Sequence, residues 1–236
     1  MKKFLILFCL TFPLSSQCQL WRTLSYGIVA GPDNCYRALT SENKSLQWAV
    51  DFLDSIEKPG NGFHAGLNVM KPLNKHFCIE SGFLFSNESY GSEKTYIQID
   101  PGYTDNIQCN ATRFTRTTKY INIPVGLRFY LNGNRISIYI AGGIAPSLIT
   151  SRINKSIYYN DEKIVLERRY FTNSEINKFN IAAYGSIGAS LFIFNYTRID
   201  IAPYYQRLLL PFQFDGGSNK ENIYKFGINI GLSVNL

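Results

Sequence analysis

The stretch "YINIPVGLRFYLNGNRISIYIAGGIAPSLI", residues 120–149, decides the fold class. Read by parity, Ile121, Ile123, Val125, Leu127, Phe129 and Leu131 fall on one side, and Asn122, Pro124, Gly126, Arg128 and Tyr130 on the other. After "NGNR" the alternation resumes, with Ile136, Ile138, Ile140, Ile144 and Leu148 against Ser137, Tyr139, Ala141, Ala145 and Ser147. A period of two belongs to extended strands, whose successive side chains point to opposite faces. Asn132-Gly133 supplies the positive φ angles of a tight hairpin. The stretch therefore predicts a β-hairpin with one wholly apolar face. A sandwich core or a bilayer could accept that face, so the rest of the chain must decide.

The same alternation recurs over 24–30, 63–69, 77–85, 179–193, 199–205 and 224–236, about eight strands in all. Sixteen Tyr, 17 Phe and 18 Gly in 236 residues fit an all-β protein. Short turns at 71–75, 132–135 and 195–197 alternate with long polar segments at about 31–61, 91–117, 150–178 and 211–222. Outer-membrane barrels have short periplasmic turns, long outer loops and an even strand number. The expected fold is an eight-stranded antiparallel up-and-down transmembrane β-barrel with lipid on its apolar face. A soluble ligand-binding barrel would turn the same face inward. The apolar face carries almost no charge, and Phe77, Phe85, Phe129, Tyr205 and Tyr224 sit near its ends as an interfacial girdle would. Leu127 and Ile138 are expected to face lipid. The segment "KSLQWAVDFLDSI" carries strand parity and also tolerates a helical reading, so it is expected to be an ordered part of the first outer loop.

The amino terminus, "MKKFLILFCLTFPLSSQCQ", has a basic start, a short apolar run and a small-residue exit. That is the pattern of a secretory signal peptide. The expected division is a signal peptide over 1–18, cleaved after Cys18, and a barrel domain over 19–236. A rival reading lipidates Cys18, although Gln17 is a poor residue before a lipidated cysteine. Removing Lys2 and Lys3 leaves 22 basic and 17 acidic residues, a net of +5. With no basic stripe interleaved with aromatics, an anionic membrane surface is a better partner than nucleic acid.

The pattern "KYINIPVGLRFYL" followed by "YIAGGIAPSLI", with "GFHAGLNVMKPLNKHFCIESGFLFSNESYG" upstream, resembles the small outer-membrane barrels of Bacteroidota. These include PorT-like proteins and are grouped with OmpX- and OmpA-type barrels. The resemblance covers nearly the whole mature chain and implies location in the cell outer membrane. For PorT-like members it implies an accessory part in type IX secretion, with secretion-system or other envelope proteins as partners.

Glu80, Arg128, Arg198, Asp200 and Lys225 share the lumen parity. They could form an ion path or a paired plug. An eight-stranded barrel is just wide enough to be filled by its own side chains, and buried charges require partners, so a plug is expected. Tyr120, Tyr130, Tyr139, Tyr184 and Tyr204 share that parity and would fill it further. His64 could serve a lipid-modifying hydrolase with Ser25 or Glu80, but no catalytic motif surrounds it, and a hydrogen-bonded lumen histidine is the simpler reading. The chain is expected to be non-enzymatic, with no cofactor and no metal site, since no Cys/His spacing or phosphate loop appears. Cys35 and Cys109 fall in expected outer loops and could form a disulfide or remain separate thiols. Arg113, Arg116, Arg152, Lys155, Arg168 and Arg169 also fall there. They could grip lipopolysaccharide phosphates or form a solvated rim. Outer-membrane lipid and lipopolysaccharide are thus the expected partners.

Overall fold

The computed structural model describes residues 24–41, 45, 47–96, 109–131, 135–171, 178–193, 196–214 and 219–235. The signal-peptide expectation lies outside them. Among the described residues, twelve strands form a single sheet: β1 (Ser25–Ser41), β2 (Glu57–Pro72), β3 (Phe77–Ser92), β4 (Thr95–Tyr96), β5 (Ala111–Asn122), β6 (Val125–Tyr130), β7 (Ile136–Asn160), β8 (Lys163–Phe171), β9 (Phe179–Ile193), β10 (Thr197–Leu208), β11 (Phe212–Phe214) and β12 (Asn219–Asn235). Pairing runs β1–β2–β3, then to β5 and β6 end to end, then β7–β9–β10–β12 and back to β1. Every step is antiparallel, so eight staves close the circuit, and β4, β8 and β11 are short additions beside it. Pro124 interrupts the stave that the sequence read as one strand over 120–131, because proline has no N–H for the ladder. Side-chain parity continues across the break.

Outward side chains form an apolar belt. Leu67, Leu127, Ile140, Ile187, Ile201 and Ile230 are all exposed, from 49% to 61%. A soluble protein does not present so large a continuous apolar surface, and a bilayer requires it. Aromatics edge the belt. Tyr36, Tyr205, Tyr224 and Phe226 pack together at the upper margin, and Phe77 and Phe129 at the lower one.

The strands run well past the belt, and this corrects the expected loop lengths. β1 continues to Ser41, β3 to Ser92 and β7 to Asn160, through segments read from sequence as loops. There the outward face meets water, so the apolar alternation stops while the ladder hydrogen bonds continue. The segment with two readings in the first outer loop is a helix, α1 (Gln47–Ile56), which packs beside β1 with Val50 buried and accepts the Leu39 N–H on Asp54 at 3.2 Å. β7 also carries a bulge. Lys119 pairs with Ser151 and Tyr120 with Ile149, so Thr150 is the extra residue and parity inverts above it.

Leu127 pairs with Gly142, midway along the belt portion of β7, whereas Ile136 lies at its lower edge. Leu127→Arg should lower unfolding free energy by about 2–4 kcal/mol, and Ile136→Arg by about 0–1 kcal/mol. Urea titration of the protein folded into lipid vesicles measures both. Equal effects at the two positions would contradict the depth assignment.

Candidate functional site

The lumen holds three tiers of paired charge. In the lowest, Arg128 Nη2 lies 3.0 Å from Glu80 Oε2, and its Nη1 lies 3.0 Å from Asp200 Oδ2. Arg198 Nε sits 3.2 Å from Asp200 Oδ1. The Tyr184 hydroxyl donates to Glu80 at 3.1 Å, and the Arg128 guanidinium stacks 3.9 Å above the Tyr139 ring. Strand parity brings these groups inward, and glycine makes room for the rings. A Cβ at Gly188 would lie 2.7 Å from Tyr139.

The middle tier surrounds Asp33. His64 Nδ1 lies 2.9 Å from Asp33 Oδ1, and the Tyr204 hydroxyl donates to the same oxygen at 2.6 Å. Lys225 Nζ reaches Glu88 at 2.8 Å and Asp33 Oδ2 at 3.6 Å. Of the five charges expected in the lumen, the structure thus gathers Glu80, Arg128, Arg198 and Asp200 and places Lys225 in a separate group. Asp33, which completes that group with Glu88, lies where the sequence read a loop, and Glu88 lies beyond the alternation read over 77–85.

The upper tier stands above the belt. Glu221, fully buried, receives Arg152 Nη2 at 2.5 Å and Arg116 Nη1 at 3.2 Å, with Arg37 Nη1 at 3.7 Å. Tyr90 donates to the same carboxylate, and Arg37 also pairs with Glu57. Arg116 and Arg152 therefore do not face lipopolysaccharide, contrary to the outer-loop expectation. The Thr150 bulge turns Arg152 inward, and the inward parity of β5 does the same for Arg116. Arg113, Arg168 and Arg169 are exposed, and Lys155 is partly so. Lys155 and Arg169 both bond Glu167 on β8, and these hydrogen bonds hold its carboxyl below the usual carboxylate range.

Between tiers, a cavity of about 90 Å³ is bounded by His64, Asn68, Glu80, Ser86, Arg128 and Tyr184. Tyr90, Tyr120, Ile149, Leu208 and Ile223 form an apolar cluster higher up. The hydrolase partners weighed for His64 are occupied elsewhere. Ser25 bonds Asn235 and is level with Met70, six residues along β2 from His64 and roughly 20 Å away at strand rise. Glu80 is held by Arg128 and Tyr184. Of the two readings of the cysteine pair, the structure has the separate thiols. Cys35 and Cys109 are free thiols. Cys35 is buried inside the barrel on β1, whose neighbours are β2 and β12, whereas Cys109 immediately precedes β5. Cys78 is buried as well, with its thiol directed at the Ile79 carbonyl at 3.4 Å.

A family model described as outer membrane protein beta-barrel domain matches residues 36–236. The chain belongs to that family. Among solved structures, this outer-membrane barrel is similar to Neisserial surface protein A, with 12% identity, a TM-score of 0.46, and coverage of 91% of this chain and 97% of that one. It is also similar to the outer membrane protease OmpT from Escherichia coli, at 8% identity and TM-score 0.48, covering 90% and 96% of the two chains. OprG from Pseudomonas aeruginosa matches at 9% identity and TM-score 0.42, over 89% and 95%. No curated protein matches the barrel in sequence.

Arg128→Met would leave Glu80 and Asp200 short of a partner and should destabilise the barrel by about 3–5 kcal/mol. The double variant E80L/R128M keeps the Arg198–Asp200 pair balanced and should recover part of that loss. Denaturant midpoints of the two proteins in matched micelles compare them directly. A double variant weaker than the single would sink the pairing argument.

Proposed function

We propose that this outer-membrane barrel is a non-enzymatic, plugged barrel that works through its extracellular sheet and loops rather than its lumen. The observation that carries this reading is the paired charge held at separate heights in the lumen, Arg128 with Asp200 in the lowest tier and Lys225 with Asp33 in the middle one. Paired groups of this kind leave no continuous solute path, as a narrow barrel filled by side chains implies. The burial of His64, at 2% exposure and bonded to Asp33 and Tyr204, supports a structural rather than a catalytic role.

The extracellular ends of β5 and β7, together with β8, supply the working surface in this proposal. Ile157 pairs with both Arg113 and Glu167, and Lys155 pairs with Arg169, so these side chains share the outward face. Arg113, Lys155 and Arg169 share one carboxylate there, Glu167. That surplus of positive charge suits the phosphates of lipopolysaccharide, which Arg can bind through a planar fork.

Purified protein in planar bilayers should show no stable large conductance at low voltage. Persistent open channels would overturn the plugged reading. Replacing Arg113, Lys155 and Arg169 together with Gln should weaken lipopolysaccharide binding, and the wild-type binding should itself fall with added salt. Unchanged binding in the triple variant would assign the contact to another surface.

A further inference from the structure

A second cavity opens at the end of the barrel that carries the short turns, which is the periplasmic end in this family of architectures. It measures about 490 Å³, a size in the usual range of small-ligand sites. Its lining includes Arg198, Tyr130, Phe192 and Lys75. Arg198 is 5% exposed and divides its guanidinium between two environments. The Nε edge lies against Asp200, while Nη1 donates to the Tyr130 hydroxyl at 3.0 Å and Nη2 points at the Met70 sulfur at 2.7 Å. The terminal edge of this buried cation therefore has neutral partners, one of them a weak acceptor.

The charged side chains that line the cavity, Arg198 and Lys75, are both basic. The turn sequences "KPLNKH" (71–76), "LNGNR" (131–135) and "NYT" (195–197) contain Lys71, Lys75 and Arg135 and no acidic residue. A concave site lined by one sign concentrates counter-ions of the other. Phe192 packs 5.9 Å from the Arg198 guanidinium and gives the wall an apolar face.

We propose that this vestibule is a periplasmic binding site for a small ligand that carries an oxyanion, a carboxylate or a phosphate, on an apolar body. The oxyanion meets the Nη1–Nη2 edge of Arg198 in the paired geometry that guanidinium favours. The apolar body rests on Phe192, and Lys75 at the mouth draws the ligand in. This site is separate from the extracellular surface and requires no transport through the plug.

The test titrates benzoate into the purified protein in detergent micelles, with phenyl phosphate as a second arm, and follows side-chain NMR signals. Saturable shifts at Arg198, Phe192 and Tyr130 are expected. The arm that binds more tightly identifies the headgroup. Arg198→Gln should weaken binding about tenfold or more, the effect of losing a charge-assisted hydrogen bond. Because that change also strips Asp200 of a partner, Arg198→Lys is tested beside it. It keeps the charge and loses the fork, and its affinity should fall between wild type and Arg198→Gln. Failure of both arms to saturate overturns the proposal. So do shifts confined to Lys71, Lys75 and Arg135, or unchanged affinity in both folded variants.

Discussion

Charge neutrality inside a narrow tube constrains the rest of this structure. Six cations, Arg37, Arg116, Arg128, Arg152, Arg198 and Lys225, are arranged in the lumen with six carboxylates, Asp33, Glu57, Glu80, Glu88, Asp200 and Glu221. The lowest tier is balanced, two cations to two carboxylates, and the other two are not. The middle one has more carboxylates than Lys225 can match, and the upper one has more Arg than Glu. An unpaired ion away from water is strongly unfavourable, so each tier constrains which strand registers are tolerable. A slip of one residue would send an entire inward set to lipid. The lumen charges and the apolar belt therefore enforce the same register from opposite sides of the wall.

The membrane part of the fold was legible because lipid imposes a simple rule on sequence. Where the outward face touches hydrocarbon, every second residue must be apolar, and β6, β9, β10 and the lower half of β7 obey. Above the belt the rule lapses. The segments carrying Asp33 and Glu221 read as polar loops, and Glu88 lies beyond the alternation read over 77–85, because water tolerates any outward residue there, although backbone pairing continues. The strand character of 31–41 has no strong local signature. It follows from pairing with Asn219–Gly227 and Gly60–His64, far away in sequence.

The candidate site was legible to the same extent. Glu80, Arg128, Arg198 and Asp200 lie within belt-height strands, and parity was enough to bring them into one lumen. Their partners in the upper tiers were missed with the strands that carry them. Arg116 and Arg152 show the cost of reading charge without register, since both looked like solvent-facing loop residues. For Arg152 the missing information is one residue long, the bulge at Thr150. In the signal used for the lower strands, odd-numbered positions of β7 face inward, and above the bulge even-numbered positions do.

That single extra residue separates two halves of one strand that would otherwise be tied together. Below Thr150, the two faces of β7 are fixed by lipid and lumen. Above it, they are assigned afresh. A one-residue insertion or deletion in this short segment would exchange the outward and inward faces of the upper half alone, and would take Arg152 from Glu221 while the membrane wall kept its faces.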